Sequence, residues 1–499
     1  MINYRIICML LCILPLTGCS KGGDEPDKGP TPSMSMTIVS SDAASVTLDI
    51  KSLNATHVRI LCKPTGVITS QTAESVAEKG TKYTGTRVVI DGLSGQTTYT
   101  VFAVACNDEG AYGKMQYVQF TTDKAGAQMY SWEKSRNGIL SYTDMVLCYG
   151  GSHHRTPYLW EKDRFEPFVT YVDEQDKEHW LFDSFLCIEF QSSSRPDGKY
   201  YAYMLGLMKD YGFSAGKAQW QELIDYWFKQ DNGVNALEQA IGDAAARLGA
   251  PPAKRKVIMI MPDPIIYKVF DGKGNGTGDP KSTTYWGQLN GRQMDFASAD
   301  DRLAAYKWYV DLVRKKFDLA NYQYVELAGF YIISEELASP DDGWNYELKK
   351  SDEIIPPLSK YLHSVNESLC WIPYNRAAGY KRWSQFGVDY AYMQPNYFWD
   401  EKGEKPLSRF FTDISANNLA MEFEFDEALL EGKTGCDSYK ARFRAYMSGA
   451  KQNGVYGRKP LSYYHGTNAF YDLSKSQAAK DRELYHEFCQ FVINNPLRK

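Results

Sequence analysis

The chain has 499 residues and a formal net charge of −5, with 56 Lys and Arg against 61 Asp and Glu. No basic excess exists to neutralise a phosphate backbone, which excludes nucleic acid as an expected partner, and the length exceeds what one small core fills. Aromatic residues are abundant, with 36 Tyr and 11 Trp, and they suit either a large core or a surface that stacks on flat apolar faces.

At the amino terminus Tyr4 and Arg5 precede the apolar run Ile6 to Leu14 and then Leu16-Thr17-Gly18-Cys19. The run is too short to span a bilayer, and small residues precede the cysteine. This pattern resembles a bacterial lipoprotein signal with its lipobox. It implies a signal peptide over residues 1–18 and a lipid on Cys19; the alternative is a plain secretory signal with an incidental cysteine. Residues 19–33, rich in Gly, Pro and charge, read as a flexible tether. An acidic stretch just after the lipidated position resembles the surface-export signal of Bacteroidetes lipoproteins. The expected location is therefore the outer membrane, lipid-anchored and facing the exterior, with periplasmic retention as the alternative.

Once Cys8, Cys12 and Cys19 are set aside, the remaining cysteines are scattered singly without a Cys-x-x-Cys pair, so no zinc or thioredoxin-type motif is expected. Cys62 and Cys106 fall in predicted strands and could be bridged if those strands are neighbours. Unpaired buried thiols are the preferred reading.

Residues 34–123 alternate in short apolar runs with turn residues between them: 45–50, 56–62, 87–90, 99–106 and 117–122. Such spacing predicts an all-β, immunoglobulin-like sandwich. The stretch Leu93 to Ala105, with Tyr99 as the corner tyrosine, resembles a fibronectin type III domain, which implies a spacer or platform. Residues 123–128 read as a joint.

From residue 130 to 499 the pattern becomes strand then helix. Predicted strands are 145–149, 182–188, 256–261, 327–333, 369–374, 388–393, 419–425 and 460–464. Helical spacing recurs between them, notably at 220–228, 236–246, 302–313, 439–450 and 482–493, and is faintest between the first two strands. Eight alternating units predict an α/β fold, a (β/α)8 TIM-like barrel of parallel strands with its site at their carboxyl ends. Residues 262–298 form a Gly-rich insertion after the third strand, where specificity is built.

Those ends carry acids. In Ala420-Met-Glu-Phe-Glu-Phe-Asp-Glu427, Met421, Phe423 and Phe425 alternate with Glu422, Glu424 and Asp426, and a period of two puts the acids on one face. The fourth strand ends at Ser334-Glu335-Glu336, where Glu335 shares a face with Gly329 and Tyr331. Hydrolysing an acetal needs one carboxyl group to protonate the leaving oxygen and a second to attack or to activate water. The candidates are Glu335 as acid/base, with Glu336 as alternate, and Glu424 as nucleophile, with Glu422 as alternate. Glycosidases of the large (β/α)8 superfamily place their glutamates at these two strand ends, and this chain is similar in arrangement; their usual Asn before the acid/base is replaced here by Ser334.

Other candidate substrate contacts are Arg155, Asp183, Tyr374, Asn375, Gln394, Asn396, Tyr397 and His465. Asp183 reads equally as a sugar-hydroxyl acceptor or an Asp bonded to neighbouring backbone. The pair His153 and His154 are weaker candidates, and Trp160, Trp371, Tyr392, Tyr397, Trp399 and Tyr463 are possible stacking platforms or core. Asp271-Gly-Lys-Gly-Asn-Gly276 departs from a calcium loop at Lys273 and lacks the closing Glu. No Walker A, dinucleotide or Gly-x-Ser-x-Gly motif occurs, so no metal or cofactor is expected.

The stretches Asp144-Met-Val-Leu-Cys-Tyr-Gly-Gly, Phe182-Asp-Ser-Phe-Leu, Gly329-Phe-Tyr and Gln394-Pro-Asn-Tyr resemble Bacteroidetes lipoproteins grouped as domain-of-unknown-function family 4855. That resemblance implies a barrel and a place beside other surface glycan-utilisation proteins. The expected function is hydrolysis of a polysaccharide or oligosaccharide with retention if the two carboxyl groups stand about 5 to 5.5 Å apart, and with inversion if they stand roughly 6.5 to 9.5 Å apart. Its competitor is a surface glycan-binding protein that no longer catalyses.

Overall fold

The computed structural model describes residues 28–41, 45–65, 71–93, 97–122, 138–150, 159–195, 198–270, 280–342, 345–400, 403 and 406–498. The signal, Cys19, most of the tether, the joint, His153, His154, Arg155 and the Asp271 to Gly276 loop lie outside the described residues. Two compact units result, Met1–Gly126 and Ala127–Lys499.

The first unit holds two antiparallel sheets. One pairs Ser33–Ser41, Val46–Leu53 and Arg87–Ile90; the other orders Thr81–Tyr83, His57–Pro64, Thr98–Cys106 and Gln116–Thr121. Val46, Leu48, Ile50, Val101, Ala103 and Ala105 alternate inward and fill the core, which is the period-two pattern made physical. Tyr99 is buried beside Phe120, ring centroids 5.8 Å apart. Cys62 pairs in register with Val101 and Cys106 with His57, so about five residues of strand, on the order of 16 Å, separate two free thiols. A helix absent from the sequence reading, Ala73–Lys79, starts at Thr72, whose side chain accepts from the Ser75 N–H. Its Val76 covers Phe102, Val104 and Cys106 on the outer sheet face, which is why that strand is buried on both sides.

The second unit is a closed barrel of eight parallel strands: Asp144–Tyr149, Ser184–Ile188, Arg255–Met261, Val325–Ile332, Ser368–Trp371, Tyr390–Met393, Ala420–Glu424 and Leu461–Tyr464, in that spatial order. Strands buried against both lumen and helices read as continuous apolar runs, as Asp144–Tyr149 and Arg255–Met261 do. Phe423 shows the outward side of the seventh strand, packing on Phe443, Tyr446 and Phe491 at 6.2, 5.8 and 5.4 Å between centroids. The faint segment after the first strand is a short helix, Lys162–Val169. Between the fifth and sixth strands, by contrast, the chain makes only a 3₁₀ turn at Tyr380–Arg382. Gly329 lets strands four and five approach closely, since a Cβ there would lie 2.0 Å from Ser368 Oγ and 2.4 Å from Ser368 O.

Candidate active site

The fourth strand passes from Ile332 into Ser334-Glu335-Glu336, a turn pinned by two side chains. Trp371 Nε1 donates to Ser334 O at 2.8 Å, and Lys349 Nζ donates to Ser334 Oγ at 2.5 Å and to Glu336 O at 3.3 Å. Glu335 Oε1 accepts from Gln394 Nε2 at 3.2 Å. Burial pushes the Glu335 carboxyl above its ordinary range; the Gln394 bond and the Lys349 charge oppose that rise, and the Glu336 charge reinforces it. Glu336 turns elsewhere and accepts the Tyr374 hydroxyl. The two adjacent acids thus diverge.

On the seventh strand Glu424 is buried, 3% exposed. Its Oε2 accepts the Asn396 backbone N–H at 2.5 Å and its Oε1 accepts Asn396 Nδ2 at 3.3 Å, both bonds that favour a carboxylate. Asn396 sits at φ 57, a left-handed conformation that asparagine tolerates. Glu422 lies two residues deeper on the same face, and desolvation first, then the Glu424 and Glu335 charges, drive its carboxyl well above the ordinary value. Its Oε1 has no hydrogen-bond partner. Among the described residues no cation contributes there.

Aromatic rings line the same mouth. Trp399, 38% exposed, donates from Nε1 to Asp426 Oδ2 at 2.8 Å and meets Tyr464 edge-on, 6.0 Å between centroids. Tyr464 in turn meets Tyr149 at 5.6 Å. Tyr149 and Tyr331 both feel the Glu335 and Glu422 charges, which places these four groups around one lumen. Tyr397 packs at 6.0 Å from Tyr446, and the Asn375 N–H donates to Gln394 O at 3.1 Å. The structure therefore brings Glu335, Glu336, Glu422, Glu424, Tyr374, Asn375, Gln394, Asn396 and Tyr397 to the strand ends.

It separates two others from them. Asp183 precedes the second strand and sits at the amino end of the barrel, where Oδ2 accepts the Thr143 N–H at 2.9 Å and Oδ1 the Asp144 N–H at 2.8 Å. Of its two readings, the backbone-bonded Asp is the one realised. His465 is 1% exposed, packed beside Phe168 and Phe425, with Nε2 donating to Leu147 O at 2.9 Å. Burial lowers its pKa to about 4, so it is a neutral core histidine and not a sugar contact. Trp160, Trp371, Tyr392 and Tyr463 are likewise fully buried.

Lys349 was missed. It ends a five-residue helix, Asn345–Lys349, in a stretch whose charged sequence looks like solvent-facing loop; only the tertiary structure folds its ammonium under the Glu335 turn.

An amino-terminal fibronectin type III-like sandwich and a closed parallel barrel with acids at two strand ends define the architecture. Residues 144–490 match the family described as "Domain of unknown function (DUF4855)", and the chain belongs to that family. No curated protein matches the chain. Among solved structures, the fn3 domain of human collagen alpha-1(XX) chain is 21% identical over 21% of this chain and 98% of that one, TM-score 0.17. The chicken CNTN1 FN1-FN3 domains are 14% identical over 19% of this chain and 33% of that one, TM-score 0.16. Chitinase ChiA74 from Bacillus thuringiensis is 18% identical over 19% of this chain, TM-score 0.15, and only 13% of the chitinase is spanned. Likeness of this extent bears on no question of activity.

Proposed function

We propose that the barrel is of the (β/α)8 TIM type and is a glycoside hydrolase acting on a polysaccharide or oligosaccharide by a retaining double displacement. One observation carries the reading: two carboxyl groups at the ends of strands four and seven are held differently. Burial raises the Glu335 carboxyl above its ordinary range, while Glu424 accepts two N–H bonds from Asn396. Divergent environments assign acid and base roles in carboxylate pairs.

In the first step Glu424 attacks the anomeric carbon as Glu335 gives its proton to the departing glycosidic oxygen. A covalent glycosyl ester on Glu424 results. In the second step Glu335, now ionised, takes a proton from water as the water oxygen attacks the anomeric carbon and releases Glu424. Trp399 and Tyr464 supply stacking surface at the mouth. We further propose that Cys19 carries lipid and holds the protein on the outer membrane, facing outward, beside other glycan-utilisation proteins. No helix among the described residues is long and apolar enough to cross a membrane.

The test is a panel of bacterial, plant and host glycans incubated with wild type, Glu335→Gln and Glu424→Gln. Each variant should lose about 10²-fold or more in kcat, and proton NMR should show the product anomer with retained configuration. Full activity in both variants refutes the assignment. Binding without cleavage by wild type favours a glycan-binding protein instead.

A further inference from the structure

Lys349 meets the Glu335 turn on both sides of the acid. Its short helix, Asn345–Lys349, is anchored by the buried Arg302 of Ala299–Ala320, whose Nη1 donates to Leu348 O at 2.7 Å. From there Lys349 Nζ donates to Ser334 Oγ at 2.5 Å and to Glu336 O at 3.3 Å. Ser334 Oγ donates in turn to Glu336 O at 3.2 Å. The ammonium thus grips the residues before and after Glu335 and leaves the Glu335 carboxyl to Gln394.

Two neutral oxygens do not call for a cation. Burying an ammonium is costly, and a neutral amide donor would bond to the same pair. The charge has another use, because acids surround it. Burial weakens the hold of Lys349 on its proton, and the charges of Asp263, Glu336 and Glu335 oppose that loss. Around Glu335 itself stand Glu336 on its own turn, Glu422 on strand seven, Tyr331 on strand four, Tyr149 on strand one and Tyr374 after strand five. Among the described residues Lys349 is the cation that acts on Glu335.

We infer that Lys349 is the positioning residue of Glu335: its ammonium clamps the backbone on either side of that carboxyl and sets a positive charge against it within an otherwise acidic and aromatic surround. The clamp aims one acid of the adjacent pair at Gln394 and lets the other turn to Tyr374. The catalytic use of the clamp rests on the proposed reading of Glu335 as the acid, whereas its effect on the Glu335 carboxyl does not.

Glutamate carrying carbon-13 at the side-chain carboxyl reports titration by NMR on the full chain, and Glu335→Gln identifies the Glu335 signal by its loss. Without the opposing cation the carboxyl keeps its proton to higher pH. That signal should therefore titrate at higher pH than in wild type in Lys349→Met and in Lys349→Gln, which keeps a donor but no charge. Lys360→Met, at an exposed position, should not move it. On a glycan that wild type cleaves, the alkaline limb of kcat should move upward in both Lys349 variants, and Lys349→Met, with no donor, should also lose about tenfold or more in plateau kcat. If wild type cleaves none, the hydrolase reading fails and the carboxyl titration still decides whether Lys349 acts on Glu335. A Glu335 midpoint unmoved or lowered in Lys349→Gln overturns the inference even where kcat falls, because loosened packing alone slows the reaction without moving the limb. Lys349→Gln also decides should Lys349→Met unfold by circular dichroism.

Discussion

Asp144, at the start of the first barrel strand, should make stability of the barrel fall with rising pH. It is fully buried, and its Oδ1 accepts the Tyr463 hydroxyl at 2.7 Å and Asn495 Nδ2 at 3.2 Å. Burial, with the Asp183 charge second, pushes its pKa up to about 7, although Arg498 Nε lies 3.8 Å from Oδ2. Between about pH 4 and 7 the folded chain therefore keeps a proton that the unfolded chain has released. Stability from this group is complete below about pH 4, declines by about 1.4 kcal/mol per pH unit across that window and is flat above it. The loss by pH 8 is about 4 kcal/mol. A unit of this size unfolds with an entropy of roughly 0.8 kcal/mol per kelvin, so the loss equals about 5 °C in Tm.

Asp144→Asn cannot ionise. It costs about 1 to 2 kcal/mol at every pH, because its amide presents a donor where Asn495 also donates, but the slope attributable to this position should vanish. Thermal unfolding of wild type and variant from pH 5 to 9 measures the difference. If the two Tm curves run parallel, burial does not control this carboxyl and the reasoning fails.

Asn396→Gly keeps the left-handed backbone and its N–H to Glu424 while deleting the Nδ2 bond; kcat on a cleaved glycan should drop by about tenfold, and an unchanged kcat would remove Asn396 from the site. Gly329→Ala should destabilise the barrel by at least about 2 kcal/mol, because the new Cβ meets Ser368 O at 2.4 Å as well as Oγ at 2.0 Å, so that turning the serine side chain away does not relieve the clash with backbone; urea unfolding checks it. Val76→Asp, at a position with no exposure, should strip the helix Ala73–Lys79 from its sheet at a cost of about 3 kcal/mol or more, read as faster proteolysis within residues 71–83.

Much of the barrel was legible because parallel strands buried on both faces leave unbroken apolar runs, and the seventh strand announced its two faces by alternating Phe with Glu. The same parity rule applied to the eighth strand would have corrected His465. It shares a face with Tyr463, which packs outward on Phe488 at 5.2 Å, whereas Tyr464 faces the mouth. Chain direction would likewise have placed Asp183 at the amino end, since it precedes its strand. The helix Ala73–Lys79 offered one large apolar residue, too little periodicity to show.

Local pattern alone determined the two-part architecture, the eight strands and the face that Glu422 and Glu424 share, because side-chain direction in a strand follows from sequence spacing. Which groups converge was decided only by closure of the barrel. Closure sets Gln394 against Glu335, Asn396 against Glu424 and the Lys349 ammonium beneath a turn 15 residues earlier in the chain. It also removes the water whose loss raises the carboxyl of Glu335. Desolvation and long-range contact depend on positions in space, and no periodicity along the chain encodes them.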